Sequence, residues 1–281
     1  MDKTTIMKKV ILAVDGTNFS TGAFEFIRRL NELQPLMVTG VFVPQLDYAN
    51  LWSYAPTGMN APVFIPLIEE EENVYVIKNI ARFEKLCQAN DISYRVHKDF
   101  SNFALPELKE ESRFADVMIL SGELFYKHVI GANQYDYIRN VLHNSECPVL
   151  VVPEKFTFPE NNILAYNGSE ESVYAMKQFA YVFPELSANK TLLVYADKNV
   201  EKEFPSKHQV IELASQHFKN LTLYKADINP KKYFREWIGE QEASILVSGS
   251  YHRSIISETF KKSFVADLIQ DHQLPVFVAH K

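Results

Sequence analysis

Short apolar runs alternate with amphipathic stretches along the whole chain. Val10–Val14 is apolar throughout, rich in β-branched residues and too short for a helix, so it predicts a buried strand. Ser20 is then placed to cap a helix whose apolar positions Phe24, Ile27 and Leu30 recur at helical spacing. Leu36–Val43 predicts a strand. Glu69–Ala89 predicts a helix whose acidic first turn suits the helix dipole, and Ile92–His97 alternates like a strand. A short helix over Pro106–Phe114, a strand over Asp116–Leu120, a helix over Tyr135–Asn144 and a strand over Val149–Val152 complete the series.

The series then begins again. Strands are predicted at Ile163–Tyr166, Thr191–Tyr195, Leu221–Ala226, Ser244–Val247 and Val276–Val278, with helices near Glu171–Phe183, Ser206–Phe218, Lys231–Gly239 and Phe260–Gln270. The likeness extends to the letters. Val-Ile-Leu-Ala-Val-Asp-Gly-Thr at 10–17 matches Asn-Ile-Leu-Ala-Tyr-Asn-Gly-Ser at 162–169, and Val-Met-Ile-Leu-Ser-Gly at 117–122 matches Ser-Ile-Leu-Val-Ser-Gly at 244–249. The copies close on Pro-Val-Leu-Val-Val at 148–152 and Pro-Val-Phe-Val-Ala at 275–279. Gly122 precedes Pro148, and Gly249 precedes Pro275, by the same 26 positions. Short apolar strands between helices imply a parallel sheet covered on both faces. The expected fold is therefore α/β, with two tandem doubly wound domains. Each is expected to be an open five-stranded, mostly parallel sheet with helices on both faces, and ligands belong beyond the carboxyl ends of such strands.

A length of 281 residues fits two such domains. The Pro-containing stretch 153–159 is the natural connector, giving domains over 1–153 and 154–281. The opening signals of the two copies lie further apart than the closing ones, so the first copy carries about 25 extra residues, over 45–69. This insert holds Tyr48, Trp52, Tyr54, Phe64 and several prolines. An apolar loop at the carboxyl end of a strand is either a functional element or a flap over an exposed core edge.

Composition narrows the partners. Hydrophobic residues make up 47% and charged residues 23%, as in ordinary globular chains. A net charge of −6 argues against nucleic acid, although it leaves room for a local basic pocket. No apolar run approaches the roughly 18–20 residues of a membrane span, so no membrane partner is expected. The opening residues lack the apolar core of a signal peptide, Met7 offers an alternative start, and cytoplasm is the expected compartment. Cys87 and Cys147 have no metal-spaced partners and read as buried thiols; Cys147 recurs as Leu274 in the second copy.

The strand ending in Asp-Gly-Thr, the Ser-Gly after the fourth strand and the Pro-Val-Leu-Val-Val terminus, all repeated in order, resemble the universal stress protein family. The resemblance spans essentially the whole chain as two tandem copies. It implies a sheet fold related to the adenine-nucleotide α-hydrolases, and pairing of Val149–Val152 with Val276–Val278 within one chain as a pseudo-dimer, which would also cover two sheet edges. It further implies an ATP site in members that carry Gly-x-x-Gly, nine residues, then Gly-Ser or Gly-Thr, where glycines let the backbone approach phosphates.

This chain departs from that pattern. In the first copy the four positions are Gly122, Phe125, Tyr135 and Asp136, and the carboxylate of Asp136 would oppose a phosphate. In the second they are Gly249, His252, Lys262 and Ser263, where Lys262 could serve as a point charge. The family's acidic residue at the adenine end is Asp15 in the first copy and Asn167 in the second; Asn can still donate to and accept from a base. The resemblance thus leaves Asp15, Gly122, Asn167, Gly249, His252, Arg253, Lys262 and Ser263 as candidate ligand residues. ATP or another adenine nucleotide is expected, if anywhere, in the second copy.

Tyr251-His252-Arg253 reads either as a solvated loop or as part of an anion site. His208 and His217 are not at ligand spacing, Glu69–Glu72 reads as a solvated helix start, and no Ser-His-Asp or Cys-His arrangement stands out. The reading that follows is a non-enzymatic stress-response or regulatory protein with degenerate ATP motifs, working by sensing a small-molecule ligand or binding a protein partner. The alternatives are an adenine-nucleotide switch in the second domain, a carrier of a small apolar ligand through Trp52, Tyr54 and Phe64, and a nucleotide-hydrolysing enzyme, against which the missing glycines count.

Overall fold

The computed structural model describes residues 7–15, 18–43, 65–98, 104–125, 127, 134–196, 203–226, 237–249, 269 and 274–280, the side chains of 65–73, 104 and 134–136 aside. The chain forms two compact units, one of residues 1–120 and 124–146, the other of 121–123 and 147–281.

The first unit is built on β1 (Lys8–Asp15), β2 (Leu36–Val43), β3 (Ser93–Lys98) and β4 (Val117–Ser121). Their order is β3-β2-β1-β4, all parallel. Ile11 lies between Thr39 and Met118, so β1 is flanked on both sides and its apolar run is buried. Edge strand β3 alternates between exposed and half-buried positions instead. Helix α1 (Thr21–Leu33) starts where Ser20 Oγ accepts the Ala23 N–H at 2.9 Å, and buries Ala23, Phe24, Phe26, Ile27 and Leu30. Helix α2 spans Ile65–Ala89, four residues earlier than its acidic run suggests. Pro66 is accommodated because the first turn has no partner for a backbone N–H anyway. Glu69–Glu72 therefore lie beyond the first turn. Helices α3 (Ala104–Ser112) and α4 (Gln134–Asn144) complete the unit.

Phe83 of α2 is the hub of this core, in edge contact with Phe24, Phe42 and Tyr94 at centroid distances of 6.4, 6.0 and 5.7 Å. Gly40 makes room for it, since a Cβ there would stand 2.9 Å from the Phe83 ring.

The second unit holds β5 (Val149–Val152), β6 (Asn161–Ala165), β7 (Lys190–Ala196), β8 (Asn220–Ala226), β9 (Ser244–Gly249) and β10 (Val276–Ala279), with α5 (Glu170–Val182) and α6 (Lys207–His217). Strand order is β5-β10-β9-β6-β7-β8. All these pairs are parallel except β5 with β10, where Val151, Leu150 and Val149 oppose Val276, Phe277 and Val278. The sequence reading puts five strands in each copy. The fifth of the first, β5, packs with the second unit because β10 is its hydrogen-bonded neighbour there.

Phe179 centres this core, with Phe277, Phe183 and Phe218 at 5.3, 5.8 and 6.4 Å. Asn162, fully buried, donates to Leu186 O and Thr191 Oγ1 and so ties the 3₁₀ turn Leu186–Ala188 to the sheet. In both units the chain runs outward from a central strand and then returns to that strand's other side. With right-handed crossovers, this puts the helices of the outward leg on one face of the sheet and those of the return leg on the other.

Candidate functional site

The reversal in strand order falls between β1 and β4 in the first unit and between β6 and β9 in the second, so a ligand crevice is expected at the carboxyl ends of those strands. Asp15 ends β1 and is fully buried. Its carboxylate is engaged locally: Asn18 N donates to Oδ1 at 2.7 Å and Asn18 Nδ2 to Oδ2 at 3.1 Å, while Asn18 N also donates to the Asp15 carbonyl at 3.1 Å. The side chain that the resemblance offers to a base thus fastens the turn leading into α1. Beside that turn Arg82 lies over the Phe19 ring at 4.7 Å and donates to Thr21 Oγ1 at 3.0 Å.

Gly122 follows β4 and is buried. Its N–H donates to Val152 O at 3.0 Å, Ser121 Oγ donates to Glu154 Oε1 at 2.9 Å, and Glu154 N donates to Glu123 Oε1 at 3.2 Å. This short loop is clipped to the exit of β5. Phe125, which stands where the ATP pattern has its second glycine, is 2% exposed and part of the core. Tyr135 and Asp136 fall in the first turn of α4.

The second unit presents a different end. Asn167 is exposed, and its Oδ1 accepts the Ser169 N–H at 2.9 Å. Ser169 caps α5 by accepting from Ser172 N at 3.2 Å. Gly168 between them sits at φ +83°, the left-handed region that glycine enters without strain. Glu170 and Glu171 occupy the first turn of α5, where the helix dipole favours them and where they would repel a phosphate.

Gly249, at the end of β9, meets the same helix. A Cβ on it would lie 2.5 Å from the Glu171 carbonyl carbon and 2.7 Å from Ser172 N. Its lack of a side chain is therefore required by the packing of β9 on α5, with or without a ligand. His252, Arg253, Lys262 and Ser263, along with residues 45–64 of the insert including Trp52, Tyr54 and Phe64, lie outside the described residues.

One constellation was not evident from the sequence reading. Tyr166 and Tyr195, at the carboxyl ends of β6 and β7, are 4% and 3% exposed. Phe204, from the connection to α6, stacks on Tyr166 (5.8 Å, 16°) and tilts against Tyr195 (5.3 Å, 48°). Tyr166 Oη donates to Pro205 O at 2.8 Å, and burial pushes the phenol's pKa up. Only the contrast of Val14 with Tyr166 at matching positions hinted at it.

A cavity of about 680 Å³ lies elsewhere, at the amino ends of β6–β9, lined by Lys190, Leu192, Lys219, Thr222 and Ser244 among others. It is at the opposite end of the strands from Asn167 and Gly249. No group of three or more His, Cys, Asp or Glu side chains could hold a metal ion among the described residues. No helix among them is long and apolar enough to cross a membrane.

No protein-family model matches the sequence, and no curated protein matches it. The structure is similar to a universal stress protein from Archaeoglobus fulgidus DSM 4304, with a TM-score of 0.62 and 16% identity over 96% of this chain and 98% of that one. The two share a fold across nearly their full lengths. A second solved structure, the spore coat polysaccharide biosynthesis protein spsE of Bacillus subtilis, overlaps at a TM-score of only 0.18 and 9% identity, over 95% of this chain and 68% of that one.

Proposed function

We propose that this chain is a universal stress protein-like regulatory protein of two tandem copies, acting by sensing a small ligand or binding a protein partner in the cytoplasm, and not as an enzyme. The observation that carries this reading is at the carboxyl ends of the central strands. Asp15 spends both carboxylate oxygens on Asn18, and Asn167 spends its carbonyl oxygen on Ser169. Oxygens that would face a base in an ATP-binding relative are engaged by the chain's own loops instead. The same strand order in both units and the end-to-end likeness to a universal stress protein support the family reading. The antiparallel pair of β5 and β10 supports the internal pseudo-dimer.

The second copy is the better ligand site. Asn167 is exposed where Asp15 is buried, so its amide meets solvent at the expected crevice. An adenine-nucleotide switch through Asn167, Gly249, Lys262 and Ser263 is the second reading, and that exposure is what favours it. Equilibrium binding of a labelled ATP analogue, with phosphate release followed in parallel, separates the two. The regulatory reading expects neither binding at micromolar levels nor turnover. Binding that Lys262→Ala with Ser263→Ala abolishes would establish the switch instead.

A further inference from the structure

We propose that the cavity at the amino ends of β6–β9 is a binding site for a small organic monoanion with an apolar body, a carboxylic acid of medium chain length, held by Lys190 and Lys219. The site lies at the opposite end of the sheet from Asn167 and Gly249, so it goes beyond the nucleotide question and names a ligand class of its own.

Strand register builds the site in two rows. Asn161 pairs with Ser244 on one side and Lys190 on the other, and Lys190 pairs with Asn220, so a polar row crosses the first residues of four strands. Two positions along, and so on the same face, Ile163 pairs with Leu192 and Leu192 with Thr222. A cationic position thus lies at the strand entrance, with an aliphatic stretch one step in. The first copy lacks that cation: Met37 pairs with Lys9 as Lys190 pairs with Asn161. The volume of about 680 Å³ is that of a small-molecule site.

Lys190 and Lys219 are exposed, and neither ammonium has an ion-pair or hydrogen-bond partner among the described residues. Neighbouring polar groups hold the chain itself. Asn220 Nδ2 donates to Ala188 O at 2.9 Å, Ser244 Oγ to Glu242 O at 3.0 Å and Gln241 Nε2 to Trp237 O at 3.1 Å. Trp237 stacks on Tyr224 at 5.3 Å and 11°, which fastens that wall to β8. Among the described lining residues, two ammoniums stand against the single carboxylate of Glu242, leaving one positive charge in excess. That balance suits a monoanion, and a phosphate dianion would overcompensate it. Ile163, Leu192 and Leu221 add apolar surface that an inorganic anion leaves unused.

The test measures octanoate binding by calorimetry at low salt, with 1-octanol and inorganic phosphate as the other probes. Octanoate is expected to bind wild type saturably, and each of the other two at least about tenfold more weakly, since each lacks one half of the match. Lys190→Met and Lys219→Gln are each expected to weaken octanoate about fivefold, and Glu242→Gln to tighten it about threefold, the size of a single partly screened charge. Both lysines are exposed, so these variants keep the fold. The proposal is overturned if octanoate does not bind wild type, if it binds both lysine variants as tightly as wild type, or if 1-octanol or phosphate binds equally well. Millimolar Mg-ATP is expected to leave the octanoate affinity unchanged. Competition would move octanoate to the carboxyl ends of the strands and overturn the proposal; ATP binding without competition counts against the degenerate-site reading alone.

Discussion

Gly249→Ala separates a glycine kept for a ligand from one kept for the fold. The added Cβ would lie 2.5 Å from the Glu171 carbonyl carbon and 2.7 Å from Glu171 O and Ser172 N, against ordinary contacts of 3.4–4 Å. All three neighbours are backbone atoms, so no rotamer change relieves the clash. β9 would have to draw back from α5 by about 1 Å, yet it is hydrogen-bonded to β6 on one side and β10 on the other. Overpacking of this kind costs about 1–3 kcal/mol, and a backbone-to-backbone clash belongs near the upper end. A loss of about 2 kcal/mol lowers the Tm of a unit this size by roughly 4–8 °C. A glycine free of such contacts gives the opposite sign, because alanine there stabilises by about 0.4–1 kcal/mol through the unfolded chain. Urea and thermal unfolding of the ligand-free protein read the difference. A Gly249→Ala variant as stable as wild type, or more so, would refute the packing argument and return Gly249 to a purely ligand-facing role.

Other outcomes follow from the same geometry. Asp15→Ala should lose about 1–3 kcal/mol in urea unfolding, because the half-buried Asn18 donors lose both carboxylate partners. Ser20→Ala should cost about 1 kcal/mol as the loss of the α1 cap, measured the same way. Phe179→Ala should cost about 3–5 kcal/mol, since the ring is fully buried among three other phenylalanines. The Cys87 thiol, pushed up to about 12 by burial and then by the nearby Glu84 charge, should not react with a disulfide reagent at pH 8 until urea exposes it. Its folded pKa lies above its unfolded one, so its contribution to stability is complete below about pH 8.5 and declines as pH rises from there toward 12.

The central strands were legible because each is a short apolar run and the edge strands β3 and β8 because they alternate, and the α1 cap because Ser20 is a local signal. The start of α2 was misread: Glu69–Glu72 looks like a first turn, while Pro66 hides the true one. The assignment of β5 was not legible either, since only the register against β10 shows which unit it joins. At the site, sequence spacing located Asp15, Asn167 and Gly249 at strand ends. Their roles depend on partners that no local period encodes: Asn18 for the first, Ser169 for the second and the backbone of α5 for the third. The Tyr166–Tyr195–Phe204 cluster joins residues far apart in the chain that are linked only by the pairing of β6 with β7 and by the strap.

The most direct test of the degenerate-site account is a thermal-shift titration of wild type with Mg-ATP, ADP and AMP up to millimolar levels. A ligand that binds only the folded state stabilises it by about 2.7 kcal/mol at one hundred times its Kd. The account predicts an unchanged Tm with all three nucleotides. A saturable rise with Mg-ATP would contradict it and make the second copy a working nucleotide site.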